Sequence, residues 1–245
     1  MSISSHYTRE ILDELNFVAT WLPSTTLVPG DVCQMNDGML RRIGALDDFN
    51  VSFETEPGST ESTIEYKSAG AVSVTAKAAG SAALKGSGLG EPEAGLHISF
   101  AKENAILLML TDCASSRIAN VHSVGQQVLT QHAAGLWPDD YVVVTEAVAC
   151  GASTILVSSS TEASIDLSFS AAVETAGFSL ATANAGLQSK TERNIGFRAV
   201  SAPGLTPLLR TSGVVQRFLR PDQFRGGDAA SDVDFAAVSY DDFAE

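Results

Sequence analysis

The sequence predicts an α+β fold: a twisted, mostly antiparallel sheet with a few helices packed on it. Three observations lead there. Apolar residues alternate with polar ones through most of the chain, two stretches instead show helical spacing, and Gly, Pro and Asn-Asp-Gly punctuation separates the alternating runs at short intervals. With 245 residues and 44% apolar side chains there is material for one sizeable core, and the predicted organisation is a single α+β domain over residues 1–221 followed by an acidic C-terminal tail over residues 222–245.

The first element is an amphipathic helix from His6 to Leu22, where Ile11, Leu12, Leu15, Val18 and Leu22 recur at helical spacing and Pro23 supplies a stop. In the segment that follows, Pro29-Gly30 and Asn36-Asp37-Gly38 bracket short apolar runs in the manner of a hairpin. Alternation then takes over, with Val51 and Phe53, Ile64 and Tyr66, and Val72, Val74, Ala76 and Ala78 set against Ser73, Thr75 and Lys77. A glycine-rich loop, LKGSGLGEPEAG, leads to LHISFAKENAILLML, whose second half is continuously apolar and is expected to be buried on both faces. Ser115 or Ser116 is the expected cap of a second helix running to about Gly135, with Ile118, Val121, Val124, Val128 and Leu129 as its apolar stripe and Gly125 as a weak spot. YVVVTEAVACG reads as a buried central strand, and Ile155, Val157, Ile165, Leu167 and Phe169 continue the alternation. FSLATANAGLQSK, IGFRAV and LLRTSGVVQRFL supply the remaining strands, and no internal repeat is visible.

The charge balance excludes several functions. Against 15 Lys and Arg stand 29 Asp and Glu, a net charge of −14, so phosphate backbones and anionic lipid surfaces repel the chain and nucleic acid is excluded as an expected partner. Cys33, Cys113 and Cys150 have no C-x-x-C spacing, which points to neither a disulfide framework nor a zinc site and fits a reduced, cytoplasmic setting. The N-terminus lacks the charged and apolar regions of a signal peptide, and no stretch has the roughly 18 apolar residues of a spanning helix.

No active site emerges. There is no G-x-S-x-G elbow, and His6, His97, His122 and His132 form no H-E-x-x-H or comparable ligand pair. Gly86, Gly88 and Gly90 fit no phosphate-binding loop, and Asp47-Asp48 and Asp139-Asp140 are adjacent residues that point apart. Catalytic, cofactor-binding and metal-binding residues are therefore all expected to be absent, with a hydrolase built from scattered residues left as a minor alternative. Arg217, Arg220 and Arg225 stand at the start of the acidic tail either as solvated cations paired with it or as an exposed, protease-sensitive junction. In that tail, expected to be mobile or loosely docked, Phe235, Tyr240 and Phe243 are the side chains a docking segment would use.

VGQQVLTQHAAGLWPDDYVVVTEAV, from Val124 to Val148, together with GDVCQMNDGMLRRIGALDDFNVSFE before it and STILVSSSTEASIDLSFSA after it, resembles the pore-forming domain of the gasdermins, and about two thirds of the chain can be laid along that family in order. The resemblance implies an autoinhibited protein that stays in the cytoplasm while its C-terminal segment is attached. An activating protease would cut near Arg217, Arg220 or Arg225. The protein would then self-oligomerise on membrane lipid and insert two β-hairpins per subunit, in bacterial cell death or antiviral defence. Candidate inserting residues are Ile64, Val72, Val74, Ile98, Phe100, Ile165, Leu167, Phe169, Phe178 and Leu180, on strand pairs Ile64–Leu84 with Leu96–Leu110 and Ser153–Val173 with Gly177–Lys190. Bacterial members typically carry a lipid-modified cysteine near the N-terminus, whereas the first cysteine here is Cys33. The alternative expectation is a non-enzymatic adaptor or scaffold whose sheet face or tail binds another protein.

Overall fold

A computed structural model describes residues 2–22, 26–36, 39–58, 63–77, 95–169, 187–200, 202–216 and 233–239. In chain order these form α1 (Ile3–Leu15), β1 (Val18–Ala19), β2 (Asp31–Asn36), β3 (Met39–Ala45), a 3-10 turn (Leu46–Phe49), β4 (Thr55–Pro57), β5 (Thr63–Lys67), β6 (Val72–Lys77), β7 (Gly95–Phe100), β8 (Ile106–Thr111), β9 (Ala114–Ile118), α2 (Val121–Ala133), β10 (Tyr141–Cys150), β11 (Ala152–Ser158), β12 (Ala163–Phe169), β13 (Leu187–Arg193), β14 (Ile195–Ala199), β15 (Leu205–Gln216) and β16 (Val233–Val238). The fold is α+β, and antiparallel pairing dominates, as the alternation predicts. Residue packing divides the chain into two compact units. One comprises Met1–Tyr7, Thr60–Cys113 and Cys150–Leu205, the other Thr8–Ser59, Ala114–Ala149 and Thr206–Glu245.

In the first unit, four chain segments each contribute one strand to each of two four-stranded sheets, ordered β14-β11-β8-β5 and β13-β12-β7-β6. The two orders match because every segment crosses from one sheet to the other at a turn. Hydrogen bonds tie those turns together: Ile106 N–H donates to Ser68 Oγ at 2.8 Å, Ala105 N–H to Ser158 Oγ at 2.9 Å, and Ser158 O–H to the Lys102 carbonyl at 2.7 Å. One core draws on both sheets, taking Leu96, Ile98, Phe100, Ala163, Ile165 and Leu167 from β7 and β12 and Leu107, Met109 and Leu156 from β8 and β11. Six successive residues of β8 are buried, and so are all seven of β11, as a strand covered on both faces requires.

In the second unit, eight strands among the described residues make one sheet along the path β1-β15-β10-β2-β3, with β16 added on β15, β9 on β10 and β4 on β9. One face holds Cys33, Met35, Val142, Val144 and Leu209, and the other holds Val32, Val143 and the inward side chains Val124 and Val128 of α2. The Pro-Gly and Asn-Asp-Gly punctuation does flank a strand pair, β2 with β3.

The structure corrects several sequence expectations. The first helix ends at Leu15, not Leu22, because Asn16 takes a left-handed conformation (φ 55°), which asparagine tolerates, and Val18–Ala19 instead pair with Leu208 and Leu209 in the buried sheet. Ser115 and Ser116 do not cap α2. Residues Ala114–Ile118 are strand β9, held between β10 and β4, and the helix starts after Asn120, whose Oδ1 accepts a hydrogen bond from Glu54 N–H at 2.9 Å. Val51 and Phe53 lie outside a strand, with Val51 buried in the second unit's core; the strand there is β4. Finally, residues 233–238 of the acidic tail form a strand where loose docking was expected.

Candidate functional site

In the sheet β13-β12-β7-β6, the strands β6, β7 and β12 are sided. In register across β6, β7 and β12 stand Val72, Phe100 and Ala163, then Val74, Ile98 and Ile165, then Ala76, Leu96 and Leu167. Their β7 and β12 members are buried in the core of the first unit, with Val72 and Val74 packed against it. The intervening rows are polar: Ser73, Ser99 and Ser164, then Thr75, His97 and Asp166. Because side chains alternate strictly along a strand, these rows occupy the opposite face. Close pairing of β7 with β12 relies on Gly95, where any Cβ would collide with the Leu167 carbonyl oxygen.

Of the candidate inserting residues, Val72, Val74, Ile98, Phe100, Ile165 and Leu167 thus share one face of this sheet. Ile64 is half-buried on β5 opposite Leu110 in the other sheet. Phe169 ends β12 opposite Leu187, and Phe178 and Leu180 lie outside the described residues. Over the described residues, β5 pairs with β8 and β6 with β7, giving one ribbon. The second ribbon pairs β12 with β13 and β11 with β14, so it runs on to Ala199, beyond the Lys190 end anticipated from sequence. Where the two ribbons meet, His97 Nδ1 on β7 lies 2.8 Å from Asp166 Oδ1 on β12, with both side chains about one third exposed (39% and 33%). Sequence motifs place His97 in no ligand pair and do not point to Asp166, since only the strand register brings these residues together.

An open groove of about 470 Å³ adjoins the serine row, lined by Gly70, Ala71, Ser73, Ser99, Thr161 and Ser164 among others. Glu162 is the one charged residue of its lining, so the groove presents hydroxyls and small apolar groups. Among the described residues no cluster of three or more His, Cys, Asp or Glu converges as metal ligands do, and no helix is long and apolar enough to cross a membrane.

The second feature is the C-terminal strand. β16 pairs antiparallel with β15 from Thr211↔Val238 to Gln216↔Val233, and Thr211 O–H donates to the Val238 carbonyl at 2.7 Å. Val233 and Phe235 turn to the α2 face of the sheet, Val238 to the other. Gly125 of α2 is the seat for Phe235: a Cβ there would lie 2.9 Å from the ring. The residue that weakens the helix locally therefore makes room for the tail's aromatic anchor. Tyr240, Phe243 and the candidate cleavage residues Arg217, Arg220 and Arg225 lie outside the described residues.

Burial holds a thiol of the second unit and a phenol of the first in their neutral forms. Burial lifts the Cys33 thiol to about 12, with the charge of Asp31 adding to the shift and Arg42 opposing it. Asp31 is itself buried and accepts hydrogen bonds from Arg42 Nε at 2.7 Å and Val28 N–H at 2.9 Å. Burial alone raises the Tyr7 hydroxyl far above its ordinary range. No protein-family model matches the chain, and no curated protein is recognisably similar to it.

Proposed function

We propose that this chain is an autoinhibited pore-forming protein whose two ribbons enter a membrane as β-hairpins once its C-terminal segment is released. The observation that carries this reading is the sidedness of β6, β7 and β12, three neighbouring antiparallel strands with apolar rows on one face and polar rows on the other. A membrane barrel needs that alternation, apolar toward lipid and polar toward the lumen. Each crossing strand needs about 9–11 residues. Residues 95–100 and 163–169 are two such amphipathic starts, and each ribbon continues into a connecting segment, 78–94 or 170–186. Those segments contain Lys85, Glu91, Glu93 and Glu174 as their charged residues. So few charges keep insertion affordable when each costs about 2.5–3.5 kcal/mol at the bilayer centre.

The restraint in this reading is β16. Its release frees the edge of β15 over residues 211–216 and vacates the seat at Gly125, leaving an unpaired strand edge of the kind that recruits another chain. The activating protease acts between β15 and β16, membrane lipid and further copies of the chain are the partners that follow, and the protein is cytoplasmic until then. No cofactor enters the scheme.

The test uses the full chain with a protease site placed between residues 216 and 233, and a companion carrying Ser212→Cys and Ala237→Cys, residues in register across β15 and β16. Cleavage should yield oligomers and dye release from liposomes in the first protein, and in the companion only after reduction of the added bridge. Cleaved protein that stays monomeric and leaves liposomes intact contradicts the proposal.

A further inference from the structure

In the first unit the β8–β11 ladder runs from Ile106↔Val157 to Thr111↔Ala152, and just beyond its end the chain turns sharply. Asp112 adopts a left-handed conformation (φ 52°), and Gly151 N–H donates to the carbonyls of Thr111 at 3.0 Å and Asp112 at 3.2 Å. This pinch brings Cys113 and Cys150, 37 residues apart in sequence, to an Sγ···Sγ distance of 3.5 Å. Both are buried, at 2% and 3% exposure. A disulfide needs the sulfurs at about 2.05 Å, so closing the bond requires about 1.5 Å of combined movement.

We propose that Cys113 and Cys150 form a built-in oxidation site, converted to an intramolecular disulfide by a small-molecule disulfide such as oxidised glutathione. One cysteine, as thiolate, attacks a sulfur of the oxidant to give a mixed disulfide and release one glutathione thiolate. The second cysteine, losing its proton, then attacks the protein sulfur of that mixed disulfide and expels the other glutathione. Two protein thiols are oxidised to one S–S bond, the oxidant is reduced to two thiols, and the cysteine protons go to the departing thiolates. The bond ties β8, of the first ribbon, to β11, of the second, at the end of their shared ladder. It also closes the segment Ala114–Ala149 into a covalent loop.

The pair is slow to oxidise at rest. Hydrogen bonding with Cys113, together with burial, keeps the Cys150 thiol strongly protonated, and the thiolate is the attacking species. Oxidation therefore proceeds through local opening at the pinch and quickens as pH rises. Cys33 supplies the internal contrast, because it is fully buried and no other cysteine belongs to its unit. The inference stands on this geometry alone and does not rest on the pore reading.

The experiment incubates the reduced full-length chain with excess oxidised glutathione at about pH 8.5, near the ordinary thiol value, and then unfolds, alkylates and maps it. Alkylatable thiols should fall from the three present in the sequence to one, with Cys113 joined to Cys150 and the label on Cys33. Cys33→Ala should fall from two to none, and Cys150→Ser should form no intramolecular bridge. The wild-type map decides the matter even if a variant fails to fold. Three thiols persisting after prolonged incubation, a glutathione adduct that never resolves, or a bridge involving Cys33 overturns the proposal.

Discussion

The same four segments of the first unit behave differently in their two halves. In β8 and β11 every described residue is buried, so these two strands are interior on both faces, whereas β7 and β12 place Leu96, Ile98, Ile165 and Leu167 on one side and His97, Ser99, Ser164 and Asp166 on the other. A doubly buried strand cannot leave its place without exposing apolar surface on two faces. A sided strand can exchange one apolar environment for another while its polar face stays in water. On the proposed reading, the β8–β11 half is the anchor of the ribbons and the β7–β12 half the part that moves.

Mutations should divide along this line. Leu108→Ala, at a fully buried position paired with Ile155 and Tyr66, should lower stability by about 2–5 kcal/mol in urea unfolding, whereas Ser99→Ala on the polar face should change it by no more than about 0.5 kcal/mol. Equal effects would erase the distinction between anchor and mobile half. Raising the pH probes the buried neutral interiors of both units. A thiol whose folded value is lifted from 9.0 to about 12 contributes stability that is complete below pH 9 and is lost as pH rises toward 12. Cys33 alone should contribute on the order of a few kcal/mol to that loss. Tyr7 and Cys150, shifted in the same direction, add to it in the first unit. Urea midpoints should hold from pH 7 to 9 and then fall, less steeply in Cys33→Ala.

Within the mobile half, Gly95→Val forces a side chain against the Leu167 carbonyl and should cost about 1–3 kcal/mol, locating the strand pairing that holds the two ribbons together. His97→Ala removes a partly exposed hydrogen bond with Asp166 and should cost about 0.5–1.5 kcal/mol. A larger loss there would make the His–Asp pair a principal clasp between the ribbons.

Much of the strand content was legible because period-two alternation is a local signal: Val72 with Val74, Leu96 with Ile98 and Ile165 with Leu167 announce their faces without reference to the rest of the chain. The continuous run AILLML likewise announced burial on both faces, and β8 has it. What was not legible depends on partners distant in sequence. The turns that cut each long segment in two rest on Ser68 binding Ile106 and Ser158 binding Lys102 and Ala105. The stretch ASSRI looks helical until β4 and β10 flank it. The arrangement repeated across the ribbons, β5 to β8 and β11 to β14, has no counterpart as a sequence repeat. Phe235 was legible as a docking side chain, but its seat, Gly125, shows in sequence only as a weak helix former. Such information is carried by register and packing, which periodicity does not encode.

The central claim, that the sided half enters a membrane as hairpins, is tested most directly by a scan with an environment-sensitive fluorophore. Single cysteines are placed at residues 96–100 and 164–168, in a chain lacking its three native cysteines and carrying the cleavage site between residues 216 and 233. After cleavage in the presence of liposomes, labels at positions 96, 98, 100, 165 and 167 should report lipid, quenched by membrane-embedded quenchers, and labels at 97, 99, 164, 166 and 168 should report water. A scan showing no period of two, or every position in water after cleavage, would contradict it.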